Sequence, residues 1–251
     1  MTNPASPPSQ LSLFDADAIE PTLRVRRSRR ARRLGLRVFP HGTVEVVVPL
    51  RTNAREVQAF VDTHRAWIQR TRIEMARSGH ASDISLPRQI EFALRRERHD
   101  VTYVQTGGRA RLEQSPGGGL VVHGDPAERD APRRLLRKWV IDRARALLVP
   151  EVDRLGMQTG LRPNGVRIGR QRSRWGSCSS EGRISLNCGL LFVRPALVDY
   201  LLIHELCHLA HMDHSARFWR LVAKHLPNYE PLERELAGSW TQVPGWLFYD
   251  D

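Results

Sequence analysis

The chain has 251 residues, a net charge of +12 and 41% hydrophobic residues, which suffices for one large domain or two small ones. No apolar stretch approaches the length that spans a bilayer, and the first twenty residues lack the features of a secretory signal, so we expect neither a membrane protein nor an exported one. Three cysteines are too few and too irregularly spaced for a disulfide framework or a cysteine-rich metal site, and we expect a cytoplasmic protein.

Residues 1–21 are predicted to form a disordered tail, because they carry prolines and acids but no basic residue. An apolar pentapeptide inside this tail is unusual for a disordered segment. It resembles the motif by which bacterial polymerases and repair proteins dock on the DNA sliding clamp, with Leu13 and Phe14 as the anchors. Folding of the tail back onto its own domain is the alternative. The pentapeptide consists of Gln10, Leu11, Ser12, Leu13 and Phe14.

Residues 22–125 are predicted to be rich in β-strands and to contain one long helix. The helix is expected over 54–77, with Val57, Phe60, Val61, Trp67 and Ile68 facing inward. From residue 126 onward the pattern is mainly helical, so the predicted fold class is α+β with a domain boundary near 125. Strands are expected near 23–28, 33–39, 43–48, 89–95, 100–105, 109–114, 119–123, 165–170 and 183–187.

Basic residues are concentrated in three stretches. Residues 24–37 contain eight arginines and no acid, 133–145 contain six basic residues, and 162–174 contain five. Such clusters suit phosphate backbones, so the sequence predicts contact with DNA. A base-composition bias of the coding DNA is the alternative explanation, because 37 of the 39 basic residues are arginine.

The most informative motif is HELCHLAHMDH at 204–214. On a helix that begins near Pro195, His204 and His208 lie one turn apart and can bind the same metal ion. Glu205 lies away from that face and is expected to accept a proton from the attacking water, which makes it the predicted catalytic base. His214 stands where related motifs place a third ligand, after a turn that leads into a helix from Ala216 to about Leu226.

Other assignments of these residues remain open. The histidines could merely satisfy hydrogen bonds on a buried helix. His211 shares a face with His204 and is interpreted as a residue that orients the ligands or faces the substrate, although it could replace His214 as a ligand. A carboxylate from a later helix is another candidate for the third ligand, supplied by Glu230, Glu233 or Glu235.

Three segments together resemble the YgjP-like zinc metallopeptidases, relatives of the SprT/Spartan group: RSRWGSC at 172–178, GRISLN at 182–187 and HELCHLAHMDHSARFW at 204–219. The resemblance extends over most of residues 24–240. It implies that His204, His208 and His214 bind one Zn²⁺ ion, with Glu205 as the base. Asp213 departs from the asparagine usual before the third histidine, and we expect it to orient His214.

The resemblance also implies a zincin-like helical domain with a small sheet over residues 126–251. In such folds the strand before the catalytic helix often forms the edge that lines the cleft and pairs with an extended peptide. An ordinary sheet strand is the alternative. The predicted substrate strand consists of Arg183, Ile184, Ser185, Leu186 and Asn187.

The leading functional hypothesis is a zinc metallopeptidase that cleaves proteins, including DNA-associated ones. A zinc hydrolase of nucleotides or other phosphorylated small molecules is the second hypothesis, because arginine-rich walls would also hold phosphates. The third is a nucleic-acid-binding module with a structural metal, which would need four protein ligands instead of three.

Overall fold

The computed structural model describes residues 23–29, 31–38, 43–77, 85–125, 128, 130–172 and 174–248. These residues form two compact units, one extending to Arg72 and the other beginning at Ile73. The predicted clamp-docking residues 10–14 lie outside the described residues. Among the described helices, none has the length and apolar character that crossing a bilayer would require.

The first unit contains a three-stranded sheet and the start of a long helix. Its strands are β1 (Leu23–Arg27), β2 (Gly35–Val38) and β3 (Val44–Val48), and β3 lies in the centre, parallel to β1 and antiparallel to β2. Alternate residues of β3 are buried, as expected for a strand with one face on a core.

Helix α1 (Ala54–Arg77) begins with a reciprocal cap. The Asn53 side chain accepts a hydrogen bond from the Glu56 amide at 2.9 Å, and the Glu56 carboxylate accepts one from the Asn53 amide at 3.3 Å. Val57 packs on the buried valines of β3, with Phe60 and Val61 beside it. Trp67 is 43% exposed, so its predicted inward position is wrong.

The second unit begins with a four-stranded sheet. Its strands are β4 (Gln89–Phe92), β5 (Glu97–Val104), β6 (Arg111–Gln114) and β7 (Leu120–His123), in the spatial order β4-β5-β7-β6. They are followed by α2 (Asp130–Thr159), a 30-residue helix with a fully buried stripe of apolar residues one turn apart. That stripe consists of Leu136, Val140, Ala144, Leu148 and Val152.

The four-stranded sheet and α2 share one core. Phe92 of β4 stacks on Trp139 of α2 with ring centroids 5.6 Å apart, and the Leu94 amide donates to the Leu191 carbonyl at 3.1 Å. The predicted boundary near residue 125 therefore falls inside the second unit, because this sheet packs on the following helix. The chain divides after Arg72 instead.

A second small sheet and four helices complete this unit. The strands are β8 (Gly165–Gly169), β9 (Gly176–Cys178) and β10 (Arg183–Asn187), in the order β8-β10-β9. A 3-10 turn (Cys188–Phe192) leads from β10 towards α3 (Pro195–Cys207), and α3 packs on β9, α2, α4 and α5. The helices after α3 are α4 (Ala216–His225), α5 (Glu230–Gly238) and α6 (Gly245–Phe248), with a 3-10 turn (Ser239–Gln242) between the last two. This mixed architecture confirms the predicted α+β class.

Candidate active site

Helix α3 carries the first two histidines of the motif into the interior. Pro195 occupies its first turn, where a missing amide hydrogen costs nothing. Apolar residues cover most of its circumference, and Leu197 and Leu206 are fully buried. The helix ends at Cys207, so His204 lies in its last turn and His208 directly follows as the C-cap.

Three imidazole rings converge at this end of α3. The Nε2 atom of His204 lies 3.2 Å from Nε2 of His208 and 3.3 Å from Nε2 of His214. Nitrogen ligands placed tetrahedrally about 2.0–2.1 Å from one ion are separated by about 3.3 Å, so the three atoms fit a shared metal ion. Among the described residues, the ligand atoms close enough to share an ion come from these three histidines.

Hydrogen bonds at the opposite ring nitrogens orient two of the rings. Nδ1 of His208 donates to the main-chain carbonyl of His211 at 3.0 Å, which leaves the Nε2 lone pair free for a metal. Nδ1 of His204 lies 3.4 Å from the Tyr200 hydroxyl, one helical turn earlier. Burial and the two neighbouring histidines lower the pKa of His204 to about 3, so this ring is neutral and ready to bind a cation.

The structure separates the other candidate ligands from this cluster. His211 contributes its carbonyl oxygen to orient His208, and its ring is not part of the ligand group formed by the described residues. Glu235 pairs with Arg194 at the start of α3, while Glu230 and Glu233 lie exposed in the first turn of α5.

Asp213 stabilises the turn that carries His214. Its carboxylate accepts a hydrogen bond from the Ser215 amide at 3.3 Å, and Ser215 is the N-cap residue of α4. In the described part of the chain Asp213 makes no hydrogen bond to the His214 ring, so the predicted direct orientation is replaced by an effect on the loop. Helix α4 begins at Ala216, where the sequence placed it.

Phe218 forms the floor of the histidine cluster, a role that the sequence analysis missed. Its ring is fully buried and stacks on His208 with centroids 4.5 Å apart, and it meets both His204 and His214 edge-on at 4.9 Å. These contacts restrict rotation of the three imidazoles. An aromatic residue one turn into the helix after the third histidine was the available signal.

Glu205 lies beside the cluster and is 4% exposed. Burial raises the pKa of its carboxyl to about 7, and the Arg174 guanidinium acts in the opposite direction. One carboxylate oxygen, Oε2, is buried and has no hydrogen-bond partner among the described residues. A buried acceptor of this kind lacks a donor, and a water molecule beside a metal would supply one.

A cavity of about 280 Å³ opens onto these groups. Besides the three histidines and Glu205, it is lined by Arg174, Gly176, Ser177, Cys178 and Met212. A Cβ atom at Gly176 would lie 2.5 Å from Oε1 of Glu205, so only glycine allows the carboxylate its observed position. Burial and the negative charge of Glu205 raise the pKa of the Cys178 thiol, which therefore stays protonated.

The predicted substrate strand is wrong. Residues Arg183–Asn187 form β10, which is paired with β8 on one side and β9 on the other and has no free edge for a peptide. The edge beside the cluster is β9, which is not among the strands expected from the sequence. The polar sequence Gly-Ser-Cys gives no strand signal, and its pairing depends on the long-range contact with β10.

The predicted basic stretch 133–145 offers little free positive charge. Two of its arginines, Arg133 and Arg137, are only 1% and 6% exposed. Arg143 pairs with Glu97, and Arg145 pairs with Asp142. Most of this stretch is therefore buried or neutralised, which removes much of its predicted capacity for DNA contact.

A family match covers most of the chain. The YgjP-like metallopeptidase domain matches residues 32–239, and no curated protein matches the chain. Among solved structures, the chain is similar to the metallopeptidase zymogen of Pyrococcus abyssi abylysin. The two are 27% identical, the match covers 36% of this chain and 91% of that one, and the TM-score is 0.33. Because the family match spans most of the sequence and includes the histidine cluster, the chain belongs to the YgjP-like family of metallopeptidases.

Proposed function

We propose that this metallopeptidase uses one Zn²⁺ ion held by His204, His208 and His214. The proposal depends on one observation: the Nε2 atom of His204 lies about a ligand-ligand distance from those of His208 and His214, next to a buried carboxylate. Neutral imidazole is a preferred ligand of zinc, and three protein ligands leave one coordination position open for catalysis. A structural zinc site would be closed by a fourth protein ligand, so the geometry favours an enzyme over a purely structural metal.

Glu205 is the proposed general base. When bound, the zinc ion would polarise the scissile carbonyl and make water acidic enough to be deprotonated near neutral pH. The Glu205 carboxylate accepts that proton through Oε2, the oxygen that has no partner among the described residues, and returns it to the leaving amine. Burial raises the pKa of this carboxyl to about 7, which favours both steps because it brings the group closer to exchanging protons in either direction near neutral pH.

The peptide substrate is proposed to lie along β9. The Trp175 carbonyl accepts from the Asn187 amide at 2.8 Å, and the Ser179 amide donates to the Arg183 carbonyl at 2.9 Å. Because main-chain groups alternate along an antiparallel strand, those of Gly176 and Cys178 face away from β10, towards the open edge. An extended peptide paired there would hold its main chain beside Glu205, whatever its side chains.

Replacement of Glu205 by glutamine tests this assignment. Glu205→Gln keeps the shape of the side chain, so we expect unchanged zinc content by elemental analysis and almost complete loss of casein hydrolysis. Glu233→Gln, in the exposed first turn of α5, is the matched control and should retain activity. Hydrolysis by Glu205→Gln at the wild-type rate would remove Glu205 from the base role.

Action on DNA-associated proteins and a cytoplasmic location are further parts of the proposal. The arginines of β1 are exposed, and the three cysteines are unpaired, which suits a reducing compartment. Docking on the sliding clamp remains a prediction from residues 10–14. A tail peptide that fails to bind the clamp at about 100 μM would exclude useful docking.

Hydrolysis of phosphorylated small molecules is the remaining alternative. Assays with nucleotides and with casein, each with and without added DNA, separate it from the proposed peptidase. Casein cleavage stimulated by DNA supports action on DNA-associated proteins.

A further inference from the structure

A second cavity, of about 330 Å³, lies next to the histidine cavity. Three of its lining residues are arginines and two are serines, and no lining residue is acidic. Arg174 also acts on Glu205 of the histidine cavity, whereas Arg167 and Arg170 have no part in the proposed peptidase mechanism. The five residues are Arg167, Arg170, Arg174, Ser177 and Ser185.

The small sheet places three of these residues in one row. Arg167 of β8 is the register partner of Ser185 of β10, and Ser185 is in turn the partner of Ser177 of β9. Side chains of directly paired residues project from the same face of a sheet. Ile184 and Leu186, the neighbours of Ser185 in β10, project to the other face and are buried. The row therefore forms a polar floor on the side opposite the apolar core.

The loop between β8 and β9 supplies the other two arginines. Asn187 is fully buried, and its side-chain amide donates hydrogen bonds from Nδ2 to the Gln171 carbonyl at 2.6 Å and to the Arg174 carbonyl at 3.0 Å. These bonds fix the loop against β10. Arg170 donates to the Leu247 carbonyl at 2.8 Å, which holds its guanidinium at the cavity.

Arg167 and Arg174 have no acidic partner within ion-pair distance in the part of the chain that the structure describes. By contrast, Arg143 and Arg154 on α2 each pair with a glutamate. Unpaired guanidinium groups beside serine hydroxyls offer several hydrogen-bond donors in a small space. This combination suits an anionic oxygen group such as a carboxylate.

The two cavities meet at Arg174 and Ser177, which line both of them. The two cavities lie on either side of β9, the edge strand along which the peptide is proposed to run. Because side chains of an extended peptide alternate between the two faces of a sheet, those on one face would point towards the histidines and those on the other towards the arginines.

We propose that the arginine-lined cavity is a specificity subsite that binds an aspartate or glutamate side chain of the peptide substrate. The inference rests on the proposed binding of the peptide along β9. It predicts a preference for substrates with an acidic residue at one fixed position relative to the bond that is cut.

Binding to an inactive variant tests the subsite directly. In the zinc-loaded Glu205→Gln protein, fluorescence anisotropy measures the affinity of labelled peptides blocked at both ends, with one glutamate moved along an otherwise neutral sequence. Each peptide is compared with its glutamine counterpart. At one position glutamate should increase affinity about tenfold, the size expected for a charge-assisted contact that is partly exposed.

When Arg167→Gln is added to this protein, the glutamate peptide should bind at most about twofold more tightly than its glutamine counterpart. Arg109→Gln removes an equal charge from an exposed turn that does not line the cavity, and should leave the ratio of the two affinities unchanged. Equal affinities at every position would overturn the proposal. A second result would also overturn it: an Arg167→Gln variant that keeps the preference for glutamate peptides but loses affinity for a single-stranded oligonucleotide. The cavity would then be a nucleic-acid contact.

Hydrolysis by the wild-type enzyme separates the two proposals. If no peptide is cut, the peptidase assignment fails, while the binding ratio still decides the subsite. If peptides are cut and bound without preference for an acidic residue, the subsite alone is refuted.

Discussion

Substitution of Gly176 gives a sharp test of how the catalytic carboxylate is held. In Gly176→Ala the new methyl group would lie 2.5 Å from Oε1 and 2.9 Å from both Cγ and Cδ of Glu205. Real Cβ atoms do not approach other atoms so closely, so a side chain that is only 4% exposed must move by roughly 0.5 to 1 Å. A displacement of this size in a catalytic group lowers the rate by about a hundredfold.

The assay is kcat/KM on a fluorogenic peptide, with zinc content and thermal stability measured in parallel. Gly165→Ala is the matched control, because Gly165 lies in β8 of the same sheet and a Cβ there meets no atom within 4 Å. We expect the zinc content of both variants to equal that of the wild type. Activity of Gly176→Ala within about twofold of the wild type, or an equal loss in Gly165→Ala, would refute the reasoning.

Two further predictions concern protonation and ligation. The pKa of Glu205 is raised by burial from 4.5 to about 7, and a nearby dication would lower it, so the acid limb of kcat/KM should fall between these values. Since the base must be ionised, activity should be present above this pKa and lost below it. If the residual activity of Glu205→Gln fell at the same acidic pH as that of the wild type, the assignment of Glu205 would be contradicted. His214→Ala should lose stoichiometric zinc in elemental analysis, whereas His211→Ala should keep it, because only the His211 carbonyl contacts His208; the opposite result would exchange their roles.

Much of the site could be predicted from local sequence, because its central geometry is local. The spacing of His204 and His208 and the polar turn before α4 depend on residues a few positions apart, and the structure places them as expected. The strands and helices of strong periodicity were also predictable. The resemblance to the family is confirmed by the match over residues 32–239.

The remaining features depend on contacts between distant residues. Gly176 and Arg174 reach Glu205 only because β9 pairs with β10, and a short polar segment gives no sign of this pairing. The turn between β4 and β5 could not be predicted either, because Arg96 adopts a positive φ of 53°, a conformation that is usual for glycine or asparagine. The division at Arg72 follows from packing of the four-stranded sheet on α2, which no local pattern encodes.

The central claim is a metal centre with three imidazole ligands and one open position. X-ray absorption at the zinc edge of the active, zinc-loaded protein tests it most directly. We predict one zinc ion per chain with three imidazole nitrogens and one non-protein oxygen at about 2.0–2.1 Å. A spectrum with four protein ligands or with sulfur in the coordination shell, or full peptidase activity without stoichiometric metal, would contradict the account.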